Sequence, residues 1–422
     1  MTDNGLLHTI AEGIKDMCYI WAKEMRSMIT DEGMLIFCIL VPLGYPLLYS
    51  WIYNNETVRD VPVAVVDMSH TAASREFIRD VDGSADTKVA YFCQSLQEAR
   101  KLTGRQQVKG VVFIPADFDT KLQRGEQTTV SVYCDMSLML TYKAIYQTTQ
   151  AVASDISANI QIARAGNMTN RDDVVTASPI DIESVPIFNT TGGYGNAILP
   201  GVLVLILQQT LLLGIGLSAG TARENNRYRD LVPISKHYNG IFRIVLGKGL
   251  CYFMIYTVMA AYVLLAVPRF FHFTSLVTAR SILMLAVPFL IAVIFFGMTV
   301  SCLVKYRENV MLLVVFTSVP LLFMSGISWP LSNMPGVWQG VAMLFPSTFG
   351  IRGFLAISSM GADIEDIAPD YHALWIQAVV YFFMACMVYR YQIISSRLHA
   401  LESVGNIKDQ IARIRAARKK KE

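Results

Sequence analysis

Met34-Leu-Ile-Phe-Cys-Ile-Leu-Val-Pro-Leu-Gly-Tyr-Pro-Leu-Leu-Tyr-Ser-Trp-Ile-Tyr53 carries no charged side chain from end to end. A bilayer core about 30 Å thick needs about 20 apolar residues per helix, because lipid cannot satisfy an exposed peptide group. This stretch meets that need. It is too long, too late and too poorly flanked for a cleaved signal peptide, since an amphipathic segment precedes it and no small-x-small site follows. It is therefore expected to stay in the protein as a first span. Five more stretches have the same character: Ala197 to Gly220, Gly249 to Val267, Ser281 to Val304, Asn309 to Trp329 and His372 to Tyr389. The totals agree. The 422 residues are 53% hydrophobic and 16% charged, against about 25% charged in soluble domains. A net charge of +3 is too small to suggest nucleic acid as a partner.

Orientation follows from Lys and Arg in the short loops. The loop after the second span holds Arg223, Arg227, Arg229, Lys236, Arg243 and Lys248; the one after the fourth holds Lys305 and Arg307. The tail holds Arg390, Arg397, Lys408, Arg413, Arg415, Arg418 and Lys419 to Lys421. The opposite loops carry only Arg269, Arg280 and Arg352, the last among acids. Both termini are expected in the cytoplasm and residues 54–194 outside.

That outer segment changes character. Pro62 to Asp67, Lys88 to Cys93, Gly110 to Pro115 and Thr129 to Tyr133 read as strands. Helical patterns lie between them at Thr71–Val81, Ser95–Leu102 and Ala116–Arg124, and one long helix without Pro or Gly is expected from Ser137 to Ala165. The alternation predicts a compact α/β domain. The fold class is thus a polytopic α-helical membrane protein of six transmembrane helices with an inserted α/β extracytoplasmic domain. No catalytic residues are expected: there is no Gly-rich phosphate loop, no ordered Ser/His/Asp set and no metal-ligand spacing. Asp67 and Asp135 follow strand ends, where they either cap turns or bind. Of seven cysteines, Cys38, Cys251, Cys302 and Cys386 fall in apolar spans; Cys93 and Cys134 form a candidate disulfide, if their Cα atoms lie within about 7 Å.

Residues 1–33 form an amphipathic segment with Ile10, Ile14, Met17, Cys18, Trp21, Met25 and Met28 on one face. It suits a helix in the interfacial plane or one packed on a soluble partner. Residues 221–243 are too long and too charged for a simple turn and suit a rigid elbow that docks a soluble protein. Residues 329–360 are too hydrophobic for a free loop and too broken to span, as expected of re-entrant or interfacial helices. Residues 394–422 continue the sixth helix into a basic amphipathic tail, drawn to the anionic lipid bilayer surface. Within the spans, charge is nearly absent. The polar cluster Gln208, Gln209 and Thr210 either lines a translocation path or bonds across helices.

Several motifs in fixed order carry a resemblance over nearly the whole chain. They are Val61-Pro-Val-Ala-Val-Val-Asp67 with Ser74-Arg-Glu76, Gly110-Val-Val-Phe-Ile-Pro-Ala-Asp-Phe118, Ala197-Ile-Leu-Pro-Gly201, Ala222-Arg-Glu224, Gly247-Lys248, Ser325-Gly326 and Pro346-Ser-Thr348. The chain resembles ABC-2 type transporter permeases, in particular bacterial export permeases with a large domain after the first span. Where such permeases often carry Gly-Thr-x-Glu after the Arg-Glu pair, this chain has Asn226-Arg-Tyr-Arg-Asp230. The resemblance implies an exporter in the inner membrane that uses ATP hydrolysed on a separate nucleotide-binding ABC ATPase subunit. This chain holds no P-loop, so ATP and Mg belong to that partner and no cofactor is bound here. Arg223, Glu224, Arg227, Tyr228, Arg229, Asp230 and Leu231 are the implied ATPase-coupling residues. A second permease, as homodimer or sister subunit, and a periplasmic membrane fusion protein with an outer-membrane channel are implied partners. Two other classes stay open: a mechanotransmitter that moves the outer domain without passing substrate, and a receptor-like membrane protein that binds ligand there.

Overall fold

A computed structural model describes the chain except residues 1, 2, 167, 168, 181, 183, 184, 186, 190, 191, 226–230, 232–237, 239, 305 and 420–422; the side chains of 3–10 and 399–419 are likewise outside it. The chain divides into two units, Asn55–Ile187 and the remainder.

In the larger unit, α1 (Asp3–Thr30) precedes α2 (Glu32–Tyr53), which begins at an Asp31 cap whose carboxylate accepts the Met34 N–H. Residues Ile36–Leu40 of α2 form a π-turn. The later long helices are α8 (Tyr194–Asn225), α9 (Ile241–Phe270), α10 (Ala279–Val300), α11 (Arg307–Met324) and α14 (Ala368–Lys419). With α2, these make six helices among the described residues that are long and apolar enough to cross a membrane. Two spans end earlier than in the sequence reading. The fourth span stops at Val300, so Cys302 lies in the following turn rather than in a span, and the fifth stops at Met324. Here Gly326 adopts φ +92°, which reverses the chain at little cost. Between the fifth and sixth long helices, α12 (Gly336–Ala342) and α13 (Pro346–Met360) meet at 88°.

α8 is the most enclosed of the six and forms the centre of the helical core. Its glycines allow this. A Cβ on Gly214 would collide with the Cys38 sulfur of α2, and one on Gly216 would sit 2.5 Å from a Val310 methyl of α11. Backbones that approach so closely gain packing that apolar lipid cannot compete away.

In the smaller unit, β1 (Val61–Asp67), β2 (Thr87–Phe92), β3 (Gly110–Ile114) and β4 (Ser131–Cys134) form one sheet of order β2-β1-β3-β4. β1 runs parallel to β2 and β3; β4 is antiparallel to β3. The connecting helices are α3 (Ala72–Asp82), α4 (Leu96–Gly104) and α5 (Phe118–Arg124), followed by α6 (Met139–Ala165) and α7 (Asn170–Ala177). Apolar side chains cover both faces. Val61, Val63, Val65, Phe77, Val112 and Ile145 fill one side, and Ala64, Val66, Ala99, Val108 and Val111 the other. Burial on both faces explains why β1 and β3 read as continuous apolar runs.

Candidate functional site

The end of α8 fastens the turn between α10 and α11. Gly220 permits the approach, since an added Cβ would lie 2.9 Å from the Arg307 Cα. Arg223 is buried and donates through Nη2 to the Cys302 carbonyl at 3.1 Å and through Nη1 to the Val304 carbonyl. These carbonyls lie in the turn that follows α10, beyond its last helical residue. The Glu224 carboxylate accepts the backbone N–H of Arg307 at 3.1 Å, at the start of α11. An anion is favoured at a helix N-terminus. Two adjacent residues of one helix thus tie down both sides of a neighbouring hairpin turn.

Arg307 extends the junction. Its Nη2 donates to Asp31 Oδ1, and Thr221 Oγ1 donates to Asp31 Oδ2 at 3.3 Å. Burial pushes the Asp31 carboxyl up, but the Arg307 contact, the Met34 N–H and Thr221 outweigh it, so the group lies below its ordinary 3.8. Asp31 therefore links the start of α2 to α8 and α11.

A second junction holds α1. Gly247 on α9 is its contact point, because an added Cβ would come within 2.9 Å of the Met17 carbonyl and 3.2 Å of Ile20. One turn along α1, the Glu24 carboxylate is buried at 6% exposure and pairs with Lys248 Nζ at 2.9 Å. Its Oε1 accepts Tyr252 OH at 2.7 Å and also Ser218 Oγ of α8. Burial, the largest influence, pushes this carboxyl up; the Lys248 ammonium and the hydrogen bonds from Ser218, Lys248 and Tyr252 together bring it below 4.5. Asp16 pairs with Arg243 at the start of α9, and Lys23 lies 5.3 Å from the ring centre of Tyr238.

Among the implied coupling residues, Glu224 is exposed, whereas Arg223 and Leu231 are buried. Arg227, Tyr228, Arg229 and Asp230 lie outside the described residues, as does Lys305. The sequence reading missed Glu24, Asp31 and Arg307 as junction residues. One signal was present: Glu24 falls on the stripe of Met17, Trp21 and Met28, where a solvated acid has no reason to be.

Gln208, Gln209 and Thr210 lie in the middle of α8 and all are buried. Thr210 returns its hydroxyl to the Ile206 carbonyl at 2.8 Å. Neither the amide nitrogen nor the amide oxygen of either glutamine has a hydrogen-bond partner among the described residues. Four such atoms inside an apolar bundle carry a desolvation cost that a substrate, water or second chain would relieve.

In the smaller unit, Asp67 is occupied by its own turn. It accepts Ser69 N–H at 2.9 Å, His70 N–H at 3.1 Å and Ser74 Oγ at 2.7 Å. Asp135 accepts Ser137 N–H at 3.0 Å. Both are turn caps. The candidate disulfide is not formed, since Cys93 and Cys134 are free thiols. Cys93 follows β2 and Cys134 ends β4, on opposite edges of the sheet. Three strand spacings of about 4.8 Å separate those strands, far beyond disulfide reach. Burial pushes both thiols up, that of Cys134 to about 11.

The family model described as ABC-2 family transporter protein matches residues 33–387. The chain belongs to the ABC-2 transporter family. Its relatives in that family are distant but nearly coextensive with it. The linearmycin resistance permease protein LnrN of Bacillus subtilis (strain 168) is 20% identical over 372 residues, covering 82% of this chain and 94% of the relative. The probable multidrug ABC transporter permease YbhS of Escherichia coli (strain K12) is 22% identical over 336 residues, 78% of this chain and 84% of that one. The inner membrane transport permease YhhJ of the same strain is 20% identical over 387 residues, 89% and 97%. This chain is thus an ABC-2 type permease and a multi-pass membrane protein.

Proposed function

We propose that this ABC-2 permease exports its substrate outward across the inner membrane, driven by ATP and Mg held on a separate ABC ATPase subunit. Both termini, α1 and the elbow at 221–243 face the cytoplasm in this reading. The domain of residues 54–194 is extracytoplasmic, and the segments 1–33, 34–53, 195–393 and 394–422 keep the roles read from the sequence. The carrying observation is the pair of junctions at one end of the long helices. Arg223 and Glu224 clamp the turn between α10 and α11, while Glu24 joins α1 to α8 and α9. A push by an ATPase on the elbow or on α1 would move α2, α8, α9 and α11 together rather than bend one loop. Exposed Glu224 and the neighbouring residues 227–230 are the contact; buried Arg223 transmits the movement. The unsatisfied amides of Gln208 and Gln209 offer donors and acceptors to a substrate passing beside α8.

The permease works as a dimer, with a second copy or a sister subunit. A periplasmic membrane fusion protein and an outer-membrane channel complete the path. The resistance and multidrug names of two relatives favour a drug-like cargo. The deciding experiment is purification in mild detergent, followed by reconstitution with the ATPase that co-purifies. ATP-dependent movement of a dye in inside-out vesicles, abolished by Glu224→Lys with the permease still folded, supports the reading. Failure of any P-loop ATPase to co-purify, or ATP turnover with no cargo movement, would sink export and leave the receptor or mechanotransmitter class.

A further inference from the structure

The turn between β4 and α6 exposes an apolar tip. Met136, Leu138, Met139 and Leu140 are 62%, 51%, 67% and 37% exposed, and Ser137, also exposed, is the one polar residue among them. A run of large apolar side chains facing out of a folded domain marks a surface that meets a protein or a membrane. The start of α6 gives up stability to keep it. Leu138 occupies the cap position, where Ser, Thr, Asp or Asn would accept a helix N–H, and its side chain makes no such bond. The preceding acid, Asp135, is turned back onto the Ser137 N–H.

Strand register places this tip. Gly110 pairs with Val63 of β1 on one side and with Cys134 of β4 on the other. Met136 therefore leaves the sheet at the end where β1 begins, while Met68 and Phe92 follow or close strands at the opposite end. Ile145 of α6 meets Gly110, where an added Cβ would lie 2.8 Å from its Cδ1. Met139 stands about 9 Å along the helix from that contact, at 1.5 Å per residue. The same end of the sheet is tied to a span. Residues 54–60 join α2 to β1, and a connection of that length reaches at most about 25 Å. The sheet end that bears the tip is thus kept within reach of the membrane surface at which α2 ends. Two tyrosines follow the tip at helical spacing. Tyr142 and Tyr146 stack with ring centres 5.7 Å apart, and Lys143 beside them is exposed. Tyrosine is enriched at headgroup depth, and a lysine there suits lipid phosphates.

We propose that the tip from Met136 to Leu140 inserts into the bilayer surface at which α2 ends, with Tyr142, Lys143 and Tyr146 at headgroup depth. The methionine and leucine side chains exchange water for acyl chains, and the unbranched methionines adapt to a fluid surface. Lipid is the occupant that the short connection to α2 selects. This contact goes beyond permease activity and requires no particular cargo, direction or energy source of transport.

The test uses the full chain in phosphatidylcholine nanodiscs, with a fraction of the lipid carrying a photoreactive diazirine in its upper acyl chain. Cross-linked peptides, mapped by mass spectrometry, should include residues 136–142 as well as the spans. Met68 and Phe92, which are 46% and 71% exposed at the far end of the sheet, should stay unlabelled. Leu138→Asp combined with Met139→Asp should lower the label on 136–142 by about tenfold, because two large apolar side chains no longer leave water. Label on Met34–Tyr53 should be unchanged in that variant, and a thermal unfolding scan checks that it is folded. The conservative pair Leu138→Met with Met139→Leu should keep the label. Absence of label from 136–142, or equal label on the peptides of Met68 and Phe92, overturns the proposal. So does a Leu138→Cys chain that oxidises to a covalent dimer the parent does not form while lipid label is absent, since the tip then belongs to a second copy. Should the charged variant unfold, the contrast in the parent between 136–142 and the two far peptides decides.

Discussion

Replacing Glu24 by Gln isolates a single charge. Glutamine keeps the shape and an acceptor for Ser218 and Tyr252, but Lys248 at 7% exposure then loses its only ion-pair partner among the described residues. Breaking one side of a buried pair costs about 3–5 kcal/mol, because an uncompensated charge is left away from water. Replacing both partners by neutral groups is often close to neutral. Glu24→Gln should therefore destabilise by about 3 kcal/mol or more, Lys248→Met by a similar amount, and the double variant by much less than the sum. The assay is a double-mutant cycle on the purified chain, unfolded by SDS and followed through tryptophan fluorescence. A coupling energy above about 2 kcal/mol is expected. Glu24→Gln within about 0.5 kcal/mol of the parent, or a strictly additive double variant, would refute the claim that this pair fastens α1 to α9.

The same junction gives a pH dependence. Glu24 and Asp31 both lie below their ordinary values, 4.5 and 3.8, so the unfolded chain binds more protons than the folded one as pH falls. Their stabilising contribution is complete above those values and is lost as pH drops through the lower folded ones; pH titration of the unfolding midpoint should show no loss from these groups between pH 8 and 5. Arg223→Ala should cost about 1–3 kcal/mol by leaving the Val304 and Cys302 carbonyls unpaired, and Arg223→Lys should rescue poorly because one ammonium cannot replace the guanidinium fork. Both are measured by unfolding and by retention of the ATPase on purification. Gln208→Leu and Gln209→Leu should leave stability unchanged or raise it, since each removes two unsatisfied buried atoms, while lowering vesicle transport. Cys93 and Cys134 should give the same two-thiol mass shift with an alkylating agent in the denatured chain with and without reductant, and in the folded chain the Cys134 thiol should react slowly at pH 8.

The junction at the end of α8 was legible in part. Ala222-Arg-Glu224 stood out by charge and by resemblance, and the resemblance implied that both charges meet a partner. The structure turns Arg223 inward and uses the Glu224 carboxylate on the start of α11. Helical periodicity locates a residue on a face without saying which neighbour that face meets.

What the sequence determined by itself was the demand of the bilayer. Six stretches such as Met34–Tyr53 must be helices because no local alternative satisfies their peptide groups in lipid, and that requirement is contained within about 20 consecutive residues. The runs at Val61–Asp67 and Gly110–Ile114 announced strands covered on both faces for an equally local reason. The tertiary structure alone decided the partners. Sheet order put Cys93 and Cys134 on opposite edges, and the glycine crossings at Gly220 and Gly247 set which charges could meet. Glu24 and Lys248 are far apart along the chain; the stripe on α1 shows that Glu24 needs a partner, but nothing local names Lys248 as that partner. Only when Gly247 lets α1 lie against α9 does burial make each charge require the other.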